Sequence, residues 1–407
     1  MAVSLPLANR INNIKPSPTI AITNKAAELK MQGFDIISLG AGEPDFDTPD
    51  FIKAAAIQAI NQGDTKYTAV EGTLALRNAI AGKFKQENSL VYSPEQILVS
   101  CGAKQSIYNL VTVLLQKGDE ALIPAPYWVS YPPMVTLTDA TPVIIETTKE
   151  QHFKITPELL KKHITSQTKL LFLNSPSNPS GQIYTKQELI DLGKLLLQYP
   201  DIYIISDDIY EHIILTDEKF YNILNACQEE FNAEDYKKLY NRTVVINGVS
   251  KAYAMTGWRI GYAAGEASLI KAMKKLQSQS TSNPCSIAQA ASCEALTNPN
   301  THATIKYMVE HFKQRQDYIF NQINAMPGLS TLAAAGAFYS FVDCSEAIKE
   351  RNMADDIEFA DRLLSEVNLA LVAGSAFGTP NYLRLSYATS MEKLQGAMER
   401  LNNFLKK

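Results

Sequence analysis

The sequence predicts an α/β fold in which a mostly parallel β-sheet is covered by helices on both faces. Short apolar runs alternate with longer amphipathic stretches from about residue 50 to 300, which is typical of such sheets. Several of these runs end in polar or glycine residues, as expected where the carboxyl ends of parallel strands meet a ligand. The 407 residues are 46% hydrophobic and 20% charged, so the composition excludes a disordered, collagen-like or coiled-coil chain.

Strands are predicted where a segment is apolar or β-branched and is bounded by polar or turn residues. These segments are Gln96–Ser100, Glu120–Ile123, Pro142–Ile145, Lys169–Asn174, Ile202–Asp207 and Thr243–Asn247. Helices are predicted between them, because apolar residues recur there at helical spacing. One such set is Leu76, Ile80 and Phe84, and another is Ile107, Leu110, Val111, Leu114 and Leu115.

The last hundred residues predict a smaller α+β unit with its own core. A helix near Thr304–Ala325 is followed by predicted strands at Ala337–Val342, Leu369–Val372 and Tyr382–Tyr387. Proline-rich segments at residues 15–18 and 43–49 are expected to mark an N-terminal arm and its crossing into the larger unit. We therefore expect an arm that belongs partly to the small domain (1–48), a large domain (49–300) and a small C-terminal domain (301–407).

Charge and cysteine usage exclude several functional classes. The net charge of −4 provides no basic field for a nucleic acid or an anionic membrane, and the apolar runs are too short to cross a bilayer. The five cysteines are scattered and the five histidines show no metal-ligand spacing, so neither a disulfide framework nor a metal site is expected. The N-terminus lacks a signal-peptide pattern, and we expect a cytoplasmic protein.

The segment Cys101–Lys104 follows a predicted strand and opens the helix that contains Ile107. The small residues Gly102 and Ala103 let backbone N–H groups approach an anion, and a helix N-terminus attracts negative charge. The segment is therefore a candidate anion-binding turn, although a tight turn between a strand and a helix explains the same residues.

Lys251 follows another predicted strand within a stretch of small residues, and Arg259 comes eight residues later. A desolvated lysine has a lowered pKa and can attack a carbonyl group as a free amine, and the planar fork of arginine suits a phosphate group. A loop lysine and a surface arginine are the alternative interpretation.

Asp207 ends a predicted strand, and Tyr210 follows three residues later. A buried carboxylate needs a cationic partner, so Asp207 is predicted to face a cationic nitrogen of a ligand. The alternatives are a helix N-cap for Asp207 and ordinary packing for Tyr210. The segment Gly40–Gly42 does not predict a dinucleotide site, because Asp45 stands where that motif requires its third glycine.

Six segments resemble, in the same order, the motifs of the class I pyridoxal-phosphate aminotransferases. They are SLGAGEPDF at 38–46, PYW at 126–128, NSPSNPSG at 174–181, SDDIY at 206–210, GVSKAYAMTGWRIG at 248–261 and YLRLSY at 382–387. The resemblance covers nearly the whole chain and is strongest to the bacterial and plastid type of aspartate aminotransferase, some of whose members also transaminate prephenate. It therefore takes precedence over the alternatives above.

The resemblance implies fold type I of the pyridoxal-phosphate-dependent transferases. In that fold the large domain has a seven-stranded, mostly parallel sheet, and a small α+β domain is built from both chain ends. The resemblance also implies a homodimer with active sites at the subunit interface. Pyridoxal 5′-phosphate is the implied cofactor, and amino acids and 2-oxo acids are the implied small-molecule partners.

The motifs also imply the residues around the cofactor ring. Lys251 is implied to hold the cofactor as a Schiff base and to carry the proton during the reaction. Asp207 is implied to pair with the pyridine nitrogen, and Tyr210 and Asn178 to hydrogen-bond the ring 3-oxygen. Trp128 is implied to stack on the ring, and Trp128 and Asn178 also border the substrate.

A second set of implied contacts concerns the phosphate group and the substrate. The implied phosphate contacts are Gly102, Ala103, Lys104, Ser250, Arg259 and Tyr67 of the partner subunit. Some relatives use the residue at the position of Gly248 instead of Ser250. Arg384 is implied to bind the substrate α-carboxylate, close to the backbone of Gly42.

The sequence departs from the family where the substrate side chain is recognised. Many dicarboxylate aminotransferases use an arginine of the partner subunit for the distal carboxylate, but no arginine occurs from Ile260 to Gln314. In the bacterial type, a lysine at the position of Lys104 takes that role. The segment 15–19 resembles the mobile helix of that type, so Lys15 is a candidate second contact. Because an ammonium group is a point charge, we expect tolerance for more than one acidic or aromatic substrate.

The sequence thus predicts an aminotransferase that exchanges an amino group between aspartate and 2-oxoglutarate in a ping-pong cycle, with prephenate or aromatic substrates in addition. A C–S lyase or a decarboxylase is one alternative, because Lys251 and Asp207 would serve those reactions as well. A catalytically silent domain of a transcription regulator is the other. That architecture carries an extra DNA-binding module, which the short segment before the first motif does not provide.

Overall fold

The computed structural model describes residues 7–406. Its strands are β1 Ile37–Ser38, β2 Ile97–Ser100, β3 Glu120–Pro124, β4 Thr141–Ile145, β5 Thr168–Asn174, β6 Tyr203–Asp207, β7 Thr243–Gly248, β8 Gly261–Ala264, β9 Ser330–Thr331, β10 Tyr339–Asp343, β11 Leu369–Ala370, β12 Val372–Ala373 and β13 Tyr382–Ser386. Its helices are α1 Asn9–Asn12, α2 Pro18–Met31, α3 Asp50–Asn61, α4 Leu74–Glu87, α5 Ala103–Leu114, α6 Tyr131–Thr136, α7 Pro157–His163, α8 Lys186–Leu196, α9 Ile223–Cys227, α10 Ala233–Tyr240, α11 Ala267–Ser278, α12 Ser286–Thr297, α13 Thr301–Asn324, α14 Ser345–Glu350, α15 Asp356–Val367 and α16 Met391–Lys406.

A large sheet forms the centre of the fold, and within residues 7–406 it has seven strands in the order β2-β8-β7-β6-β5-β3-β4. The pairs between β4, β3, β5, β6 and β7 are parallel, whereas β8 runs antiparallel to β2 and β7. The six predicted strands are confirmed to within about two residues, but β8 was missed. Its sequence, Gly-Tyr-Ala-Ala, contains no β-branched residue, so its strand signal is weak. Gly261 is required there because a Cβ atom would lie 2.0 Å from the backbone nitrogen of Ala103.

Both faces of the large sheet are covered, as predicted. Leu170 and Phe172 of β5 join an apolar cluster with residues of α5 and α11. Leu171 and Leu173, which point the other way, join a second cluster with residues of α4, α8 and α12. Alternate residues of a buried strand therefore enter two separate cores, which explains why its sequence is apolar without interruption.

The two ends of the chain meet in the smaller part of the fold. β1 pairs in parallel with β11, and a separate sheet has the order β12-β13-β10-β9. The single strand predicted at Leu369–Val372 is wrong, because β11 and β12 join different sheets. The small α+β unit built from both chain ends is nevertheless confirmed, whereas the domain boundaries at 48/49 and 300/301 stay a prediction.

None of the described helices is both long enough and apolar enough to span a lipid bilayer. The cysteines at positions 101, 227, 285, 293 and 344 are all free thiols, so no disulfide contributes to the fold. The fold is held by its apolar clusters and places the carboxyl ends of β5, β6 and β7 side by side.

Candidate active site

A cavity of about 410 Å³ lies at the carboxyl ends of β5, β6 and β7 and is bordered by β10 and β13. Its wall contains most of the residues that the sequence singled out, namely Gly42, Ala103, Lys104, Trp128, Asn178, Asp207, Tyr210, Ser250, Lys251, Arg259 and Arg384. The strand register explains this convergence, because Asn174 at the end of β5 lies opposite Asp207 at the end of β6. Neighbouring parallel strands therefore deliver their terminal side chains to one place.

Lys251 lies three residues beyond β7 and reaches into the cavity. Its Nζ atom donates a hydrogen bond of 2.6 Å to the carbonyl oxygen of Gly42. Burial lowers the pKa of Lys251 to about 8, the positive charges of Arg384 and Arg259 act in the same direction, and nearby carboxylates oppose them. At pH 7, roughly a tenth of this lysine is then the free amine, which is the form that attacks a carbonyl group.

The carboxylate of Asp207 is 4% exposed and borders the same cavity. Its Oδ2 atom accepts a hydrogen bond of 2.5 Å from the hydroxyl group of Tyr131, and its Oδ1 atom accepts one of 3.4 Å from the backbone N–H of Ile209. Burial raises the pKa of Asp207 to about 6, although these hydrogen bonds and the charge of Lys251 lower it. The next helix, α9, begins only at Ile223, so the N-cap alternative is wrong. A buried carboxylate in such surroundings is suited to a cationic ligand.

Tyr210 lines the cavity, and its hydroxyl oxygen lies 2.8 Å from the hydroxyl oxygen of Tyr339. The two rings meet edge to face, with their centroids 5.8 Å apart. Burial raises the pKa of both tyrosines, so both phenols are neutral near pH 7. The pair therefore brings hydroxyl donors, and no charge, to this side of the cavity.

The corner where β2 passes into α5 has the features of an anion-binding site, and anion binding there stays a prediction. Gly102 has a φ of +85°, and a Cβ atom there would lie 2.3 Å from Nη2 of Arg259, so only glycine fits. Arg259 is itself in the left-handed region, with a φ of +58°, which is costly for a residue with a side chain and often marks a functional position. The first N–H groups of α5, from Ala103 onward, join the Arg259 guanidinium and the Ser250 hydroxyl group at this corner.

Arg384 projects from β13 into the cavity and is 2% exposed. Its Nη1 atom donates to the side-chain oxygen of Asn178 at 3.0 Å, and its Nη2 atom donates to the carbonyl oxygen of Gly40 at 2.6 Å. The guanidinium carbon lies 4.6 Å from the centroid of the Tyr339 ring and 4.9 Å from that of the Phe377 ring. Its buried Nε atom has no hydrogen-bond partner among the described residues. A rigid, desolvated arginine with an unused donor is suited to a carboxylate.

Lys104 lies on α5 with its Nζ atom 4.9 Å from the centroid of the Trp128 ring. Partial burial of the ammonium group lowers the pKa of Lys104, and the charge of Arg259 lowers it further. Within residues 7–406, no carboxylate forms an ion pair with Lys104. This unpaired positive charge therefore attracts an anionic group into the cavity.

Three predicted residues are not part of the wall of this cavity, and one of them, Gly102, lies beside it at the turn between β2 and α5. Lys15 is exposed and lines a neighbouring cavity of about 860 Å³, which shares Lys104 and Arg259 with the first. Tyr67 is 94% exposed and contributes to the wall of neither cavity. Its predicted contact is with the other subunit, so its place in a single chain leaves that prediction open.

Sequence reasoning missed Tyr131 and Tyr339. Tyr131 begins α6 three residues after Trp128, and the two rings meet edge to face at 5.4 Å. Residues three apart in one helical turn are neighbours in space, so the spacing from Trp128 could have identified Tyr131 as a residue near the site. Tyr339 gave no such signal, because aromatic residues are common in strands and a tyrosine there normally packs in a core.

A buried ion pair lies behind the cavity and joins α4 to the turn after β6. The ammonium group of Lys83 pairs with the carboxylate of Glu211, which also accepts a hydrogen bond of 2.6 Å from the side chain of Asn247 at the end of β7. Glu87, Glu211 and His212 have potential metal-ligand atoms within 4.8 Å of one another. Since Lys83 already neutralises Glu211, we interpret the cluster as an ion-pair network that fixes two strand ends from behind.

Comparison with known proteins identifies similar chains over the full length of this one. A sequence profile described as "Aminotransferase class I and II" matches residues 35–401. The aspartate/prephenate aminotransferase of Nitrosomonas europaea is 52% identical over 407 residues, which covers 98% of this chain and 100% of that protein. The aspartate aminotransferase of Bacillus sp. strain YM-2 is 48% identical over 400 residues, which covers 98% and 99% of the two chains.

Solved structures show the same likeness. The aspartate aminotransferase of Rhizobium meliloti superposes with a TM-score of 0.92, at 42% identity and over 99% of both chains. The aspartate aminotransferase of Thermus thermophilus with maleate superposes with a TM-score of 0.91, at 41% identity and over 98% of this chain and 100% of that one. The shared fold therefore includes the strands and helices that surround the cavity.

Proposed function

The chain belongs to the class I and II aminotransferase family, and we propose that it transfers the amino group of aspartate to 2-oxoglutarate in a ping-pong cycle. The observation that carries the proposal is one cavity that holds a reactive amine, a buried carboxylate and a carboxylate-binding arginine, at Lys251, Asp207 and Arg384. The names of the relatives support aspartate as a substrate and suggest prephenate as an alternative oxo acid.

Pyridoxal 5′-phosphate is the proposed cofactor, and three features of the cavity support it. Lys251 has the lowered pKa of an amine that attacks an aldehyde. Asp207 is a buried carboxylate that suits a protonated pyridine nitrogen, and the corner at Ser250 and Arg259 suits a phosphate group. When bound, pyridoxal phosphate supplies the electron sink that an amino-acid carbanion needs.

The residues of the chain bind the substrate and move its proton. Arg384 holds the α-carboxylate of the amino acid with its planar fork, while Asn178 and Gly40 fix the guanidinium. The Nζ atom of Lys251 takes the proton from the Cα of the amino acid in one half-reaction and gives a proton to the Cα of the oxo acid in the other, because a pKa near 8 makes both protonation states accessible near neutral pH. Acid–base catalysis of this kind contributes roughly 10²–10⁴-fold to the rate. The negative charge of Asp207 stabilises the protonated ring nitrogen.

Lys104 is the proposed contact for the distal carboxylate of aspartate and glutamate. Its ammonium group lies beside Trp128 and has no acidic partner in the described chain. Lys15 is the proposed second contact, since it lines the adjoining cavity that also contains Lys104. A point charge imposes little geometry, so aromatic substrates are expected to be accepted as well.

The proposed assembly is a homodimer in the cytoplasm, in which Tyr67 of the partner subunit reaches the phosphate corner. The 94% exposure of Tyr67 in the single chain supports this assembly, as do the exposed apolar side chains of Ile57, Ile60 and Leu74 on α3 and α4. The free cysteines fit a reducing compartment.

Product analysis separates transamination from the lyase alternative. Purified holoenzyme with aspartate and 2-oxoglutarate is expected to form equal amounts of oxaloacetate and glutamate, without pyruvate and ammonia. Lys251→Ala is expected to abolish turnover and covalent retention of the cofactor. Lys274→Ala is the matched control, because Lys274 pairs with Glu71 and lies outside the cavity. Transamination by Lys251→Ala at the wild-type rate would exclude this mechanism.

A further inference from the structure

Tyr339 lines the cavity but has no role in the proposed binding of the cofactor and substrate. It lies on β10, diagonal to Arg384 on β13, because Arg384 is paired directly with Phe341. Its ring lies 4.6 Å from the guanidinium carbon of Arg384, and its hydroxyl oxygen lies 2.8 Å from that of Tyr210. One side chain therefore contacts both the arginine of the carboxylate site and the phenol that borders the proposed cofactor.

The number of donors determines the direction of the hydrogen bond between the two tyrosines. A phenol has a single O–H group to donate. In the described part of the chain, Tyr210 is the sole hydrogen-bond partner of the Tyr339 hydroxyl group. If Tyr210 donates its proton to a group in the cavity, Tyr339 must donate to the oxygen of Tyr210. Gly42 limits the movement of the Tyr339 hydroxyl group, since even a Cβ atom at Gly42 would lie only 3.0 Å from it.

The charge of Arg384 acts on this donor. Burial raises the pKa of Tyr339, and the positive charge of Arg384 opposes that rise. A cation over a phenol ring stabilises the negative charge that develops on the oxygen when its O–H group donates a hydrogen bond. The O–H group is therefore a stronger donor. The ring of Phe377 also contacts the guanidinium, at 4.9 Å, but carries no hydroxyl group. The ring and the hydroxyl group of Tyr339 thus make separate contributions.

We propose that Tyr339 is a positioning residue of the transamination site. Its ring holds Arg384 in place for the substrate α-carboxylate, and its hydroxyl group donates to Tyr210 and strengthens the hydrogen bond that Tyr210 donates into the cavity. The inference rests on the proposed function, because it requires a carboxylate substrate and a bound pyridoxal phosphate.

Two substitutions separate these contributions. Tyr339→Phe removes the hydroxyl group and keeps the ring, whereas Tyr339→Leu removes both. The matched control is Tyr92→Phe, since the buried hydroxyl group of Tyr92 has no hydrogen-bond partner in the described structure. Two readouts other than activity are used: the pH midpoint of the absorbance of the bound cofactor, and the dissociation constant of succinate measured by calorimetry on the holoenzyme.

Tyr339→Phe is expected to raise the pH midpoint by about 0.5–1 unit, because Tyr210 becomes a weaker donor and the oxygen it contacts becomes more basic. Its affinity for succinate is expected to stay within about twofold of the wild type, since the ring still supports the guanidinium. Tyr339→Leu is expected to share the raised midpoint and to bind succinate roughly 3- to 10-fold more weakly. Tyr92→Phe is expected to change neither quantity.

A double substitution tests whether Tyr339 acts through Tyr210. The pH midpoint of Tyr210→Phe/Tyr339→Phe is expected to equal that of Tyr210→Phe alone. Without the Tyr210 hydroxyl group, the Tyr339 hydroxyl group has no hydrogen bond through which it could act on the cofactor. Fully additive shifts, or a Tyr339→Phe midpoint equal to that of Tyr92→Phe, would overturn the role of the hydroxyl group. Equal succinate affinities of Tyr339→Phe and Tyr339→Leu would overturn the role of the ring.

Two other outcomes are distinguished from a failure of the proposed role: misfolding of Tyr339→Leu and failure of the proposed function itself. If Tyr339→Leu fails to give the near-ultraviolet circular dichroism of the wild type, Tyr339→Ile provides the second test of the ring, because a β-branched side chain is favoured in a strand such as β10. Its loss of succinate affinity should match that expected for Tyr339→Leu, and an unchanged affinity would overturn the stacking role. If the wild type itself shows no cofactor absorbance, the proposed function has failed, which is a different outcome from a failure of Tyr339.

Discussion

The hydrogen bond from Tyr131 to Asp207 leads to a quantitative prediction for Tyr131→Phe. A hydrogen bond to a charged group contributes about 1.5–3 kcal/mol, and one pKa unit corresponds to about 1.4 kcal/mol. Removal of the phenol donor, which lies 2.5 Å from Oδ2, should therefore raise the pKa of Asp207 by roughly 1–2 units. Since that pKa is about 6 in the intact protein, the variant should have a value of about 7–8.

The affinity of the apoenzyme for pyridoxal phosphate measures this shift. Asp207 must be ionised to pair with the ring nitrogen, and at pH 7 it is mostly ionised in the wild type but half or less ionised in the variant. We expect the affinity to fall by roughly 2- to 10-fold at pH 7 and to recover above pH 9. Equilibrium titration by cofactor absorbance or fluorescence, repeated across pH, would give the midpoint for each protein.

The stability of the apoenzyme provides an independent readout with a defined sign. The folded-state pKa of Asp207 lies above its unfolded value, so the folded protein binds this proton more tightly. The contribution of Asp207 to the free energy of unfolding is therefore lost as the pH rises from about 4 through 6. In Tyr131→Phe the loss should continue to about pH 7–8. Tyr92→Phe is the control, and a midpoint that coincides with the wild type in both assays would refute the reasoning.

Three further outcomes are expected. Arg384→Ala should lower kcat/KM for every amino acid, because it leaves the α-carboxylate unpaired; the decrease should correspond to a loss of about 2–5 kcal/mol of transition-state stabilisation. A loss confined to dicarboxylates in steady-state assays would place Arg384 at the distal carboxylate instead. Lys104→Ser should lower kcat/KM for aspartate and glutamate and spare phenylalanine, whereas an equal loss on all substrates would make Lys104 a cofactor contact. Mixed dimers of Lys251→Ala and Tyr67→Phe subunits should regain activity, since one of their two sites is intact; no recovery would mean that Tyr67 acts within its own chain.

The sequence predicted the elements whose signal is local. Runs such as Lys169–Asn174 are buried on both faces and therefore read as strands without any knowledge of their neighbours. β8 was missed because its four residues have low strand propensity. Gly261 in β8 is instead required by the close approach of the strand to the start of α5. The segment Leu369–Val372 reads as one strand, and only the tertiary pairing of β11 with β1 divides it.

The candidate site divides in the same way. Lys251, Asp207 and Arg259 were predictable because each lies in a recognisable motif, and the structure brings all three to one cavity. Tyr339 could not be predicted, because its neighbour Arg384 is set by the register between β10 and β13. That register is a property of the folded sheet and leaves no trace in the spacing of the two residues along the chain.

The pairing of β1 with β11 has a consequence for synthesis on the ribosome. The bond between Arg384 and the carbonyl oxygen of Gly40 joins segments from opposite ends of the translated message. A nascent polypeptide that has emerged only as far as β8 already contains every strand of the central sheet, so that layer can assemble early. Gly40 gains its contact with Arg384 only after β13 has been synthesised. We therefore expect the proposed activity to require the complete chain, because a nascent chain that ends before β13 contains Lys251 but lacks Arg384, the proposed contact of the substrate α-carboxylate.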